Sequence, residues 1–195
     1  IYWKQGKKAK ALEAIDNSID LSGKSTVSKF YKAHFLAKSG RADEARTLLK
    51  ENISFDPLDW LSRIELARLD EDSDALDMII SHMGIPLQEI IEASTYYNNI
   101  GAHTEAVELL DYVMEHGAPY SSTPMQHEAV EPFTASPLLN YMAGYYTHLS
   151  GDVSKSVSYY KKAAAMSSDY CFPSRIEEQR MLEDAIKMNP SDYKA

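Results

Sequence analysis

Three observations predict an all-α fold, a superhelical array (α-solenoid) of about five to six antiparallel helix pairs. Apolar residues recur at helical spacing through most of the 195 residues. Glycines at 6, 40, 101 and 151 fall where one helix of a pair must end. Alanine stands five positions beyond the first three of them, at Ala11, Ala45 and Ala106, and Ser156 takes that place after the fourth.

The stretch 26–57 shows the unit most completely. Phe30, Ala33, Phe35, Leu36 and Ala37 supply the apolar face of a first helix. Ala42, Ala45, Leu48, Leu49 and Ile53 supply that of a second. Asp43 and Glu44 lie in the first turn of the second helix, where negative charge suits the helix dipole. Pro57 cannot continue that helix and pushes Asp56 out of the α region. Small Ala33 and Ala45 let the two helices approach closely.

This pattern resembles the tetratricopeptide repeat, a 34-residue unit with a mid-repeat glycine, an alanine five residues later and a proline near its end. Gly40, Ala45 and Pro57 fit it, and Gly6 lies one period before Gly40. Gly40 and Gly101 are 61 residues apart, so the unit between them is shortened; Gly101 and Gly151 are 50 apart, so residues have been inserted. The resemblance implies a non-catalytic scaffold whose first helices line a concave, partner-binding groove.

In chain order, Tyr2 and Trp3 read as the end of a first helix, and a second helix follows Gly6 to about Leu21. After the 26–57 unit, a helix is predicted from Leu58 to Leu69. The acidic run Asp70-Glu71-Asp72 with Asp74 starts a short helix through Ile80; it lacks the glycine and distal glutamate of a calcium-binding loop. Residues 87–116 make another hairpin about Gly101. Residues 118–136, interrupted by Pro119, Pro124 and Pro132, form an inserted loop. A tyrosine-rich hairpin covers 137–167. A last helix runs from about Ser174 to Met188, with Ser174 as its cap and Glu177 three residues on. All 195 residues are read as one repeat domain. The mid-repeat opening and the tail at Tyr193 read as cuts through a longer chain, so a signal peptide would lie upstream and the compartment stays open.

HEAVEPF, AGYY, YCFPSR and NPSD within 119–195 also resemble a narrower group of large bacterial proteins, in which such repeats follow a β-rich domain linked to carbohydrate. That resemblance implies an accessory module that binds or positions glycan, with no catalytic residue carried over.

Composition narrows the partners. Hydrophobic content of 44% supports a folded chain, and no apolar run approaches the roughly 20 residues of a membrane span. Residues 1–50 carry 11 Lys and Arg against 5 Asp and Glu, whereas residues 51–150 carry 2 against 17. Such an acidic middle repels phosphate backbones and argues against nucleic acid. Lys4, Lys7, Lys8 and Lys10 read as a solvated helix face. The single cysteine, Cys171, excludes an internal disulfide and suits a buried, inert thiol between Tyr170 and Phe172.

No cofactor motif and no catalytic constellation stands out. His127-Glu128 with Glu131 approaches a zinc-protease motif, but Glu131 occupies the second histidine's place and Pro132 follows. In the register of the resembled repeat, groove positions fall on Phe30, His34 and Lys38, then Ile91, Thr95, Asn98 and Asn99, then Tyr141, Tyr145 and His148. Phe30, His34, Lys38, Asn98, Asn99, Tyr141, Tyr145 and His148 are the candidate partner contacts. A lysine–asparagine clamp for a partner's C-terminal carboxylate, known in some repeats of this kind, is replaced here by Phe30, His34, Ile91 and Thr95. The expected ligand is a protein or peptide segment.

Overall fold

The computed structural model describes residues 1–117, 133–169, 171, 173–192 and 195, so most of the expected loop at 118–136 lies outside the described residues. They form two compact units, Ile1–Met83 and Gly84–Ala195. Both units are built of helices, and no strand occurs among the described residues.

The first unit contains α1 (Lys8–Leu21), α2 (Thr26–Ala37), α3 (Ala42–Phe55), α4 (Trp60–Asp70) and α5 (Ser73–His82). Consecutive helices pack together, and α2 also touches α4, the first helix of the next pair. Trp3, ahead of Gly6, stacks on Phe35 at 4.1 Å. Phe30, Ala33, Ala45 and Leu49 have no exposed surface, so the small residues do line the close contact between α2 and α3.

A polar network in this unit repeats with a 34-residue step. Ser25 caps α2 by accepting from the Ser28 N–H (3.2 Å), and Ser28 Oγ meets Ser18 Oγ of α1 at 3.0 Å. Thirty-four residues on, Asp59 caps α4 by accepting from the Ser62 N–H (3.0 Å), and Ser62 Oγ accepts from Asn52 Nδ2 of α3 at 2.9 Å. Asn52 Nδ2 also donates to the Thr26 carbonyl. The second helix of each pair is thereby fastened to the start of the next first helix.

The hinge glycines have left-handed backbones, with φ of 72°, 82°, 81° and 92° at Gly6, Gly40, Gly101 and Gly151. After each, the next N–H reaches back five residues: Lys7 to Tyr2, Arg41 to Leu36, Ala102 to Tyr97 and Asp152 to Thr147, at 2.9–3.2 Å. These bonds satisfy carbonyls that the helix end would otherwise strand. A fifth hinge has no glycine. Glu71 adopts φ 52°, and the Asp72 N–H bonds the Ala67 carbonyl at 3.0 Å. The hinges are therefore 31 and 30 residues apart across Gly40–Glu71–Gly101, and the shortening expected in one unit is shared by two. Asp72 then caps α5 through the Ala75 N–H, so the acidic run does open a helix. A side chain in this conformation costs about 1 kcal/mol or more. Glu71→Gly should raise unfolding stability by about 1 kcal/mol in urea melts, whereas β-branched Glu71→Val should lower it.

The second unit contains α6 (Pro86–Ile100), α7 (His103–His116), a 3-10 turn (Phe133–Ala135), α8 (Pro137–Leu149), α9 (Val153–Ala165) and α10 (Ile176–Met188). α6 packs on α7, α7 on α8, α8 on α9, and α10 against both α8 and α9. The cap of α10 differs from the expected one. Its helix starts at Ile176, and buried Glu178, not Glu177, reaches back to accept from the backbone N–H groups of Ser174 and Arg175. Within α8, Gly144 is a packing residue. A Cβ there would stand 2.5 Å from Cε1 and 2.7 Å from Cδ1 of Tyr160 on α9. Tyr160 is wholly buried and its hydroxyl is bonded, so the ring has no room to withdraw. Gly144→Ala should force α8 and α9 apart and cost roughly 1–3 kcal/mol in the same melts, despite alanine's better helix propensity.

Candidate binding surface

In the first unit, two of the three expected contact residues lie in the interior. Phe30 is 0% and His34 1% exposed. His34 Nδ1 donates to Glu65 Oε1 of α4 at 3.0 Å, and the Arg68 guanidinium forks onto both Glu65 oxygens at 2.8 Å. Burial works against ionising Glu65, but Arg68 and His34 outweigh it and bring the carboxyl down to about 2. Only Lys38, just past the end of α2, is exposed as expected of a contact residue.

Glu65 ties this unit's stability to pH. The folded carboxyl ionises near 2 and an ordinary one near 4.5. Its contribution is therefore complete above about pH 5 and is lost as pH falls towards 2. Glu65→Gln should destabilise the chain by on the order of 3 kcal/mol at pH 7. The variant's loss of stability between about pH 5 and 2 should be shallower than the wild type's in melts across that range.

In the second unit, tyrosines face carboxylates. Tyr141, 3% exposed, donates to Asp192 Oδ2 at 2.7 Å. Tyr160 donates to Asp184 Oδ2 at 2.6 Å, and Tyr159 to Asp111 Oδ2 at 2.7 Å. Burial first, and the facing carboxylate second, push all three phenols well above their usual range. Tyr146 is pushed up to about 12, chiefly by burial; its hydroxyl lies 3.5 Å from Thr95 Oγ1 of α6. Tyr141, taken from its spacing as a contact residue, thus belongs to the core, as do Tyr146, Tyr159 and Tyr160.

Tyr145 and His148 differ. His148 Nδ1 donates to Asp184 Oδ2 at 2.8 Å, yet a third of its side chain is accessible. Tyr145 is half-buried, with its ring 5.9 Å from that of Tyr146. Its hydroxyl makes no hydrogen bond among the described residues. On α6, Ile91 is buried, Thr95 and Asn98 are half-buried and Asn99 is exposed. Asn98 Oδ1 lacks a hydrogen-bond partner among the described residues. The Thr95–Tyr146 contact joins α6 to α8, and half-buried Tyr145 adjoins Tyr146.

Elsewhere in this unit a cavity of about 450 Å³ is lined by Asp111, Glu115, Lys155, Tyr159 and Lys162 among others, and its charges cancel. Cys171 is half-buried, and burial pushes its thiol up, which disfavours the nucleophilic thiolate. No group of three or more metal-ligating side chains is placed to hold an ion among the described residues. His127, Glu128 and Glu131 lie outside them. Among the described residues, no helix is long and apolar enough to cross a membrane.

No family model and no curated protein matches the chain. Among solved structures it is similar to a Podosopora anserina protein described as a kinesin light chain with nearly identical TPR-like repeats. Sequence identity is 18%, the match covers 97% of this chain and 82% of that one, and the TM-score is 0.37. A form of the same protein carrying one substitution gives the same values. Nothing about ligand or partner passes from that protein to this one.

Proposed function

We propose that the chain is a non-catalytic scaffold that binds a protein or peptide segment. In the second unit the contact face is carried by α6 and α8, through Thr95, Asn98, Asn99, Tyr145 and His148. Tyr145 is the observation that supports this reading. Tyr141, Tyr159 and Tyr160 have their hydroxyls committed to carboxylates. Among the described residues of α8 and α9, Tyr145 alone keeps an uncommitted phenol hydroxyl, on a half-buried ring 5.9 Å from that of Tyr146. A partly packed aromatic with a free polar tip offers contact area at little entropic cost. Phe30, His34 and Tyr141 act beneath the surface, keeping the first helices in place. Lys38 is the corresponding exposed position in the first unit.

The test is selection from a random peptide display library, followed by fluorescence anisotropy of the selected peptide. Tyr145→Ala should weaken binding at least about tenfold, and Tyr145→Ala with Asn99→Ala further, while helicity by circular dichroism is unchanged. Unchanged affinity in Tyr145→Ala would exclude this face. Failure to select any peptide, with binding instead on a glycan array, would move the reading to the glycan-positioning module implied by the resemblance of 119–195.

A further inference from the structure

We infer that the first unit carries a self-complementary charged edge through which two copies of the chain associate about a two-fold axis. The turns that join first to second helices follow one another along one edge of this unit. Trp3, before the Gly6 turn, stacks on Phe35, before the Gly40 turn. Arg46, after the Gly40 turn, binds Asp70 Oδ1 (2.6 Å) and the Leu69 carbonyl (3.1 Å), before the Glu71 turn.

Charge changes sign along that edge. Lys4, Lys7 and Lys8 flank the first turn, and all three are exposed. Lys7 Nζ donates to Gln5 and Lys8 lies over the Trp3 ring, and none of the three pairs with a carboxylate among the described residues. At the middle turn Arg41 forks onto Glu44 and Arg46 meets Asp43, and Lys38 adds one exposed cation. At the last turn Glu71, Asp72 and Asp74 are exposed and unpaired with any cation among the described residues.

Within one molecule the two unpaired clusters are separated by the middle turn, whose arginines and carboxylates are paired. A second copy, laid antiparallel along the same edge, sets lysines against carboxylates twice and middle turn against middle turn. That is the self-complementarity of an isologous contact. Exposed ion pairs are individually weak and screened, so the dimer forms at high protein concentration and low salt. This edge uses none of the α6 and α8 residues and does not rest on the proposed binding function.

Sedimentation equilibrium of the 195-residue chain tests it. At about 0.01 M salt, where screening extends over about 30 Å, the average mass should rise from 22.0 kDa towards twice that value. At about 1 M salt, where it extends over about 3 Å, the mass should return to the monomer's. Lys7→Glu with Lys8→Glu, and separately Glu71→Lys with Asp74→Lys, should each abolish association. An equimolar mixture of the two should restore it, because each reversed cluster then meets its complement. The neutral pairs Lys7→Gln/Lys8→Gln and Glu71→Gln/Asp74→Asn should each weaken it, even if a reversed variant fails to fold. A monomer at about 1 mM protein and low salt would overturn the inference. So would growth beyond a dimer, or loss of association in the lysine variants only.

Discussion

Every helix pair here depends on reversing the chain within about three residues while the two helices stay in contact. A right-handed backbone cannot make that reversal and also satisfy the last carbonyls of the first helix. A single residue in the left-handed region does both, as the repeated five-residue back-bonds show. Glycine occupies four of the five hinges among the described residues because it has no Cβ to clash. Glu71 shows that the constraint is on geometry and not on residue type, since the surrounding pair imposes the same turn on a glutamate. Once the reversal is fixed, the residue five positions beyond a glycine hinge faces the first helix at close range. Ala45, Ala106 and Ser156 there are fully buried and Ala11 nearly so.

The two units handle buried polarity differently. The first fastens one pair to the next with short polar side chains, Ser18 to Ser28 and Asn52 to Ser62, and with the His34–Glu65–Arg68 cluster between α2 and α4. A carboxylate without exposed surface is tolerable only because two cationic or donor groups face it. At the matching hinge-plus-twelve positions the second unit has Val113 and Ala163, which pack and do not bond. Much of the contact between its helices runs through tyrosines instead, beside buried polar groups such as Ser94 and Glu178. A large ring fills the space between helices, and its hydroxyl must then find an acceptor, here Asp184 or Asp192 on or just after α10 and Asp111 on α7.

The sequence carried the hinges and helix pairs plainly, because glycine spacing and apolar period are local signals. The fifth hinge was illegible, since glutamate has no preference for a left-handed backbone. Gly144 was illegible for another reason: its role is set by Tyr160, sixteen residues away on the facing helix. The site was legible only in part. Spacing assigns Phe30, His34 and Tyr141 to the same helix face as Tyr145, but it does not say how deeply each sits. Depth is decided by partners such as Glu65 and Asp192, 31 and 51 residues distant. The cap of α10 failed by one residue, because two glutamates stand side by side and only Glu178 points back.

On the proposed reading, those internal commitments also limit what the accessible face could use to recognise a ligand. A buried tyrosine whose hydroxyl is bonded to an aspartate cannot turn outward without leaving that carboxylate unsatisfied, a cost on the order of 1–3 kcal/mol. Tyr141, Tyr159 and Tyr160 are therefore fixed, and specificity has to come from groups with spare hydrogen-bonding capacity. On α6 and α8 those are Tyr145, with its free hydroxyl, and the exposed Asn99 amide beside the Gly101 hinge, while the unpartnered Asn98 Oδ1 is itself buried. Amides and a phenol both donate and accept, and none of them carries charge. Such a set matches main-chain amides and carbonyls, the groups any extended peptide presents, better than it matches a phosphate or an isolated carboxylate. On the same reading, tyrosines tied to carboxylates would restrain the helices that carry the face, and such restraint reduces the ordering cost that a small contact surface must overcome.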